Sequence, residues 1–157
     1  MKYFSNTSQQ ANFLINKLEI NQDSHGLDIA CGSGSCLLEI QKIALNTYGV
    51  DIEKSDLVNF FQTDIFKERL PVNNLDFAYC MAPYFAENWW NLDYLFGNIS
   101  DSLKTDGLFC FDLFNFNSFP VGKTIQKYKI NKENIQLSSV KRETDRVKIN
   151  IKKRLDQ

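Results

Sequence analysis

The clearest chemical signal in the chain is the run Leu27-Asp28-Ile29-Ala30-Cys31-Gly32-Ser33-Gly34-Ser35-Cys36. An apolar stretch stops at the glycine turn, and a stretch of helical period follows at once. Glycines in such a turn let the backbone approach a ligand where a Cβ would clash. The free N–H groups that open the helix can receive an anionic group. Asp51 comes 17 residues after Gly34, at the end of a second apolar run. In doubly wound folds an acid there accepts hydrogen bonds from ribose hydroxyls. Asp64 ends a third run. The three places would share one sheet edge, and such sheets bind ligands at the carboxyl ends of their strands.

The spacing also says which ligands fit poorly. The third glycine of a dinucleotide fingerprint would fall at position 37, which is Leu37. The full phosphate-loop pattern G-x-x-x-x-G-K-S/T does not occur. A nucleotide-dependent oxidoreductase is therefore the weaker reading. An adenosine without a pyrophosphate suits the pattern better. Cys31, Cys36, Cys80 and Cys110 form no C-x-x-C pair and no zinc spacing. They read as reduced thiols of a cytoplasmic protein, and no metal is expected. His25, the one histidine, reads as an exposed loop residue before the first strand.

Positioning these residues requires strands alternating with helices. Residues 12–20 read as an amphipathic helix with Phe13, Leu14, Ile15 and Leu18 on one side. Strand 27–31 leads into helix 36–43. Strand 47–52 leads into helix 55–61. Residues 62–65 form a weak strand end, 75–80 a strand, 89–103 a helix, and 107–114 a strand entered through a turn at 104–107. This alternation predicts an α/β fold: a Rossmann-like, mostly parallel sheet with helices on both faces. After Asn115 the pattern becomes short and partly alternating, over 125–130, 135–140 and 147–151. These runs read as a C-terminal antiparallel strand add-on. The expected division is a ligand-binding domain over 1–115 and a strand-rich extension over 116–157 that covers or extends it.

Over about residues 10–115 the chain resembles the class I S-adenosylmethionine-dependent methyltransferases. The likeness rests on five pieces in order: Asp28-Ile29-Ala30-Cys31-Gly32-Ser33-Gly34, Gly49-Val50-Asp51-Ile52, Asp64-Ile65, Leu70-Pro71 with Leu75-Asp76-Phe77-Ala78-Tyr79-Cys80, and Leu103-Lys104-Thr105-Asp106-Gly107-Leu108. It implies S-adenosylmethionine as cofactor. Asp28, Cys31, Gly32, Ser33 and Gly34 would lie against the cofactor, with both glycines packed on its methionine and ribose portions. Asp51 would hold the ribose and Asp64 the adenine amino group. Ile52 and Ile65 would flank the ring, and Cys80 to Ala82 would border the transfer site. Met81-Ala82-Pro83-Tyr84 lacks the side chain that amino-directed nucleic-acid methyltransferases use to accept from their target. The implied acceptor is a small molecule.

Methyl transfer from a sulfonium is an in-line displacement, so alignment of the nucleophile is the main task. The candidates for an acceptor-side base are Tyr84 and Asp112. Tyr84, Phe85, Trp89 and Trp90 could line an acceptor pocket or simply pack a core, and Asn115 ends the fifth strand near Asp112. Other roles exist for the acids: Asp28 as a turn acid, Asp51 as the cap of a helix starting near Glu53 or Lys54, Asp64 as a surface residue. The alternative to an enzyme is a non-catalytic methyltransferase-like module, suggested by the short C-terminus.

The 157 residues are 43% hydrophobic and 24% charged, which suits a soluble domain with a core. No apolar run reaches the ~20 residues of a membrane span, and the first residues carry no signal-peptide pattern. Residues 1–122 hold seven Lys/Arg against 15 Asp/Glu, whereas 123–157 hold eleven against four. The basic C-terminal strands could meet nucleic acid or an acidic partner, or serve as a solvated face that discourages aggregation. An early sheet edge would also allow a homodimer.

Overall fold

The structure is a computed structural model that describes residues 6–81 and 92–112, and the strand backbones at 124–131, 134–142 and 147–155. Residues 1–113 and 114–157 form two compact units.

The first unit is built in the order α1 (Thr7–Lys17), β1 (Gly26–Ile29), α2 (Ser35–Gln41), β2 (Thr47–Asp51), β3 (Phe60–Gln62), β4 (Leu75–Cys80), α3 (Leu92–Ser102) and β5 (Leu103–Phe111). Its five strands are all parallel and lie in the order β3-β2-β1-β4-β5. This is the expected Rossmann-like sheet.

Strand alternation divides the core into two layers. Phe77 and Tyr79 of β4 pack with Ala11, Leu14 and Leu18 of α1 and Ile40 of α2. Ala78 and Cys80 pack with Leu27, Ile29 and Val50 of the neighbouring strands and with Leu95 and Ile99 of α3. Helices therefore cover both faces.

Several elements differ from expectation. α1 starts at Thr7, five residues before 12, because the Asn6 side chain accepts from the Gln9 N–H at 2.9 Å and caps it. Phe13 is exposed, while Leu14 and Leu18 are buried. No helix spans 55–61. Asn59 has φ of 60°, and Phe60–Gln62 pair with Gly49 to Asp51 instead. The ladder with β2 outweighs a weak helical period, and the third strand thus precedes 62–65. β5 begins at Leu103, paired with Leu75, and pairing resumes at Leu108 with Phe77. The expected turn at 104–107 is an excursion inside that ladder, with Asp106 at φ of 65°. His25 is partly buried, edge-on to Tyr48 at 5.5 Å between centroids, and its backbone N–H donates to Asp76 at 2.8 Å.

The second unit is a three-stranded antiparallel sheet of β6 (Thr124–Asn131), β7 (Asn134–Arg142) and β8 (Val147–Leu155), with β7 central. This is the antiparallel add-on read from the sequence. No helix of the described residues is long and apolar enough to cross a membrane.

Candidate functional site

The sheet order reverses between β1 and β4, and the crevice beyond the strand ends at such a point is where open α/β sheets hold ligands. The β1–α2 loop leaves the sheet at that point. Ala30, Gly32 and Gly34 have φ of 58°, 54° and 71°, so three alternate residues lie in the left-handed region. An alanine there costs about 1–2 kcal/mol, strain that local sequence reading did not reveal. The two glycines do different things. A side chain at Gly32 would meet nothing within 4 Å, so open space lies over it. A side chain at Gly34 would overlap Leu57. Gly34 is buried and stands at the start of α2.

Asp51 ends β2 and locks this loop. Its Oδ2 accepts the Gly32 N–H at 2.8 Å and its Oδ1 accepts the Glu53 N–H at 2.9 Å. No helix follows, so the helix-cap role has no helix to serve. A carboxylate has about four acceptor positions, and two remain for a ligand. The Thr63 N–H donates to the Asp51 carbonyl at 2.9 Å, which sets Asp64 beside it at the end of β3.

Asp64 accepts the Phe66 N–H at 3.1 Å and pairs with Lys67 at 2.7 Å. The lysine hydrogen bond holds its carboxyl below the usual range. Ile52 is half exposed next to Asp51, whereas Ile65 is buried in the core. The connection that carries Asp64 is fixed by Asn98 of α3, which accepts the Leu70 N–H at 3.0 Å and donates to the Glu68 carbonyl at 2.7 Å.

Between the loop and α1 lies a cavity of about 150 Å³. Thr7 and Gln10 enter from α1, Asp28 from β1, Cys31 and Ser33 from the loop, Ser35 and Cys36 from α2, and Met81 from the end of β4. Sites for whole small molecules span ~300–1,000 Å³, so this cavity suits one end of a ligand. Asp28 is only 3% exposed. Burial pushes its carboxyl up to about 8, opposed by the Tyr79 hydroxyl and the Leu37 amide and reinforced by Asp51. Burial likewise pushes the Cys31 and Cys36 thiols up to about 12, which makes them poor nucleophiles at neutral pH. None of the four cysteines forms a disulfide with another described residue.

Cys80 is fully buried in the α3 layer, and its neighbour Met81 reaches the cavity. Asp112 follows β5, and its N–H donates to the Cys80 carbonyl at 3.2 Å. Burial raises its carboxyl above the ordinary range, and its Oδ1 is buried without a hydrogen-bond partner among the described residues. Tyr84, Phe85, Trp89, Trp90, Ala82 and Asn115 lie outside the described residues. Sequence reading missed Thr7, Gln10, Cys36 and Tyr79. The Asn6 cap was the one local signal for the first two.

Residues 27–111 match the family model described as a methyltransferase domain. A search of curated proteins finds no match. Among solved structures, the sugar N-methyltransferase KedS8 of Streptoalloteichus is 14% identical, with a TM-score of 0.61 over 98% of this chain and 72% of that one. DesVI of Streptomyces venezuelae is 16% identical, with a TM-score of 0.64 over 95% and 74%. CalS10 of Micromonospora echinaspora, an amino pentose methyltransferase with S-adenosylmethionine bound, is 14% identical, with a TM-score of 0.65 over 99% and 83%. At these identities the likeness is one of fold. The matched stretch spans more than half of the chain and carries the strand–glycine loop–helix with the acids that follow it. The chain therefore belongs to the methyltransferase domain family, as a class I enzyme of Rossmann-like fold that uses S-adenosylmethionine.

Proposed function

We propose that this chain methylates an amine nitrogen of a small-molecule acceptor. The observation that carries this reading is the Oδ1 of Asp112, buried beside the end of β4 and without a hydrogen-bond partner among the described residues. Asp112 acts on the thiol of Cys110, and Cys110 packs in the same layer as the cavity-lining Met81. A buried carboxylate without a partner is costly and is relieved by an incoming cation. The fold relatives KedS8 and CalS10, a sugar N-methyltransferase and an amino pentose methyltransferase, support a small amine as that cation.

The residues present fit the cofactor. The cavity would take its amino-acid end, with the ammonium at Asp28 and polar groups from Thr7, Gln10, Ser33 and Ser35 around it. The open space over Gly32 leaves room for the ribose at the spare acceptor positions of Asp51. Asp64 would meet the adenine edge and Ile52 its face. When bound, S-adenosylmethionine supplies an electrophilic methyl carbon. The protein's tasks are to align the acceptor nitrogen and to free its lone pair. Asp112 would hold the acceptor ammonium and take its proton at Oδ1. Burial raises that carboxyl, which makes it a better base.

The test is turnover of S-adenosylmethionine against matched small amines, alcohols and carboxylates, read as S-adenosylhomocysteine formed. Methylation of amines alone is expected. Turnover confined to oxygen acceptors would overturn the amine reading.

A further inference from the structure

Two polar groups, Tyr79 and Asp28, are buried side by side on the α1–α2 side of the sheet. Tyr79 is fully buried, with its ring stacked on Phe77 at 6.3 Å between centroids. Asp28 and Cys36 lie beside its hydroxyl, yet that atom has no partner in hydrogen-bond geometry among the described residues, although native interiors satisfy nearly all such atoms. Asp28 is its direct partner across the β1–β4 ladder, so both side chains leave the sheet on the same face. The Tyr79 hydroxyl lies close enough to favour a charged Asp28, yet outside hydrogen-bond geometry with it. Asp28 itself lines the cavity.

A pair arranged this way is incomplete. A carboxyl, a phenol and a small polar cavity lack only the cation that would draw them together. We propose that Tyr79 is a positioning residue that holds the Asp28 carboxylate from the sheet side once a ligand ammonium fills the cavity, so that cofactor uptake expels a proton. This rests on the cavity taking the amino-acid end of S-adenosylmethionine.

The proton balance is simple. The free protein keeps Asp28 as the carboxylic acid, because burial disfavours its charged form. The arriving ammonium favours the carboxylate, and the acid proton leaves to solvent. No bond to carbon forms or breaks. The Tyr79 O–H then donates to a carboxylate oxygen, a charge-assisted bond stronger than a neutral one. Other titratable groups near Asp28 are Cys36 with Glu39 behind it from α2, Cys31 from the loop, and Asp51 from β2. The thiols stay protonated across the relevant range. From α1, the cavity is lined by the uncharged Thr7 and Gln10.

Calorimetric titration of the whole chain with S-adenosylhomocysteine tests this without turnover. That probe keeps the ammonium and lacks the sulfonium charge. Repeating the titration in buffers of different ionisation enthalpy counts protons released. About one proton is expected at pH 6.5, with affinity rising about tenfold per pH unit until it levels near pH 8. Methylthioadenosine, which has no ammonium, should bind with no proton release. Tyr79→Phe should weaken S-adenosylhomocysteine about tenfold at neutral pH and move the levelling point upward, while Asp28→Asn should remove the pH dependence. Binding without proton release by the wild-type chain would overturn the proposal, and needs no variant. An unchanged pH profile in a folded Tyr79→Phe protein would remove Tyr79 from it. Failure of every nucleoside probe to bind would instead count against the cofactor site itself.

Discussion

Asp51 accepts the backbone N–H of Gly32 at 2.8 Å, joining the end of β2 to the middle of the β1–α2 loop. One carboxylate thereby shapes the crevice and keeps acceptor capacity for whatever enters it. Asp51→Ala should weaken S-adenosylhomocysteine binding by about 1–3 kcal/mol and also lower stability, because the Gly32 and Glu53 N–H groups lose their acceptor. Calorimetry and thermal melting check the two effects. A lower melting temperature with an unchanged dissociation constant would leave Asp51 a structural clasp only.

Asp112→Asn should separate acceptor chemistry from cofactor binding. Loss of a general base lowers turnover by about 10²–10⁴-fold, while affinity for S-adenosylhomocysteine stays the same. Because Asp112 also sits half-buried beside the β4 end, melting curves serve as the folding control. Full activity in the folded variant would send the search for the base elsewhere.

The free protein should lose stability as pH rises from about 4 to about 8. Asp28 titrates near its ordinary 3.8 when unfolded and near 8 when folded. Between those values the unfolded chain releases a proton that the folded chain keeps. The stability that Asp28 contributes is therefore complete below the unfolded value and fades toward the folded one. The slope from this group approaches about 1.4 kcal/mol per pH unit at most. Urea midpoints across that range should show it, and Asp28→Asn should flatten the curve.

Gly34→Ala should destabilise by about 1–3 kcal/mol through backbone strain at φ of 71° together with overlap on Leu57. In a Leu57→Ala background the overlap vanishes and only the strain remains. The double-mutant cycle should therefore show coupling between the two sites. Strict additivity would mean that Leu57 yields freely.

The mostly parallel sheet and the glycine loop were legible because they rest on local signals: an apolar run, a turn, a helical period, repeated in sequence. Asp28, Gly32 and Asp51 came with them. The start of α1 was less visible. Its first turn is polar, and only the Asn6 cap marks it, so Thr7 and Gln10 went unread as cavity residues. The helix expected at 55–61 failed because pairing of Phe60–Gln62 with β2 is a long-range gain that a local period cannot weigh. Tyr79 looked like one more apolar strand residue. Its significance depends on facing Asp28 across the ladder, a pairing between residues about fifty apart in the chain. The roles of Gly32 and Gly34 diverged for a similar reason, since only Leu57 distinguishes them.

The Asn98 amide gives the two ends of the crevice separate anchors. It rivets the segment bearing Asp64 to α3 on one side of the sheet, whereas Asp28 rests among α1 and α2 on the other. In the proposed cofactor placement, loosening α3 would shift the recognition of a nucleobase and spare the amino-acid end. Loosening α1 would do the reverse. Each grip thus rests on its own hydrophobic layer, one on either face of the sheet.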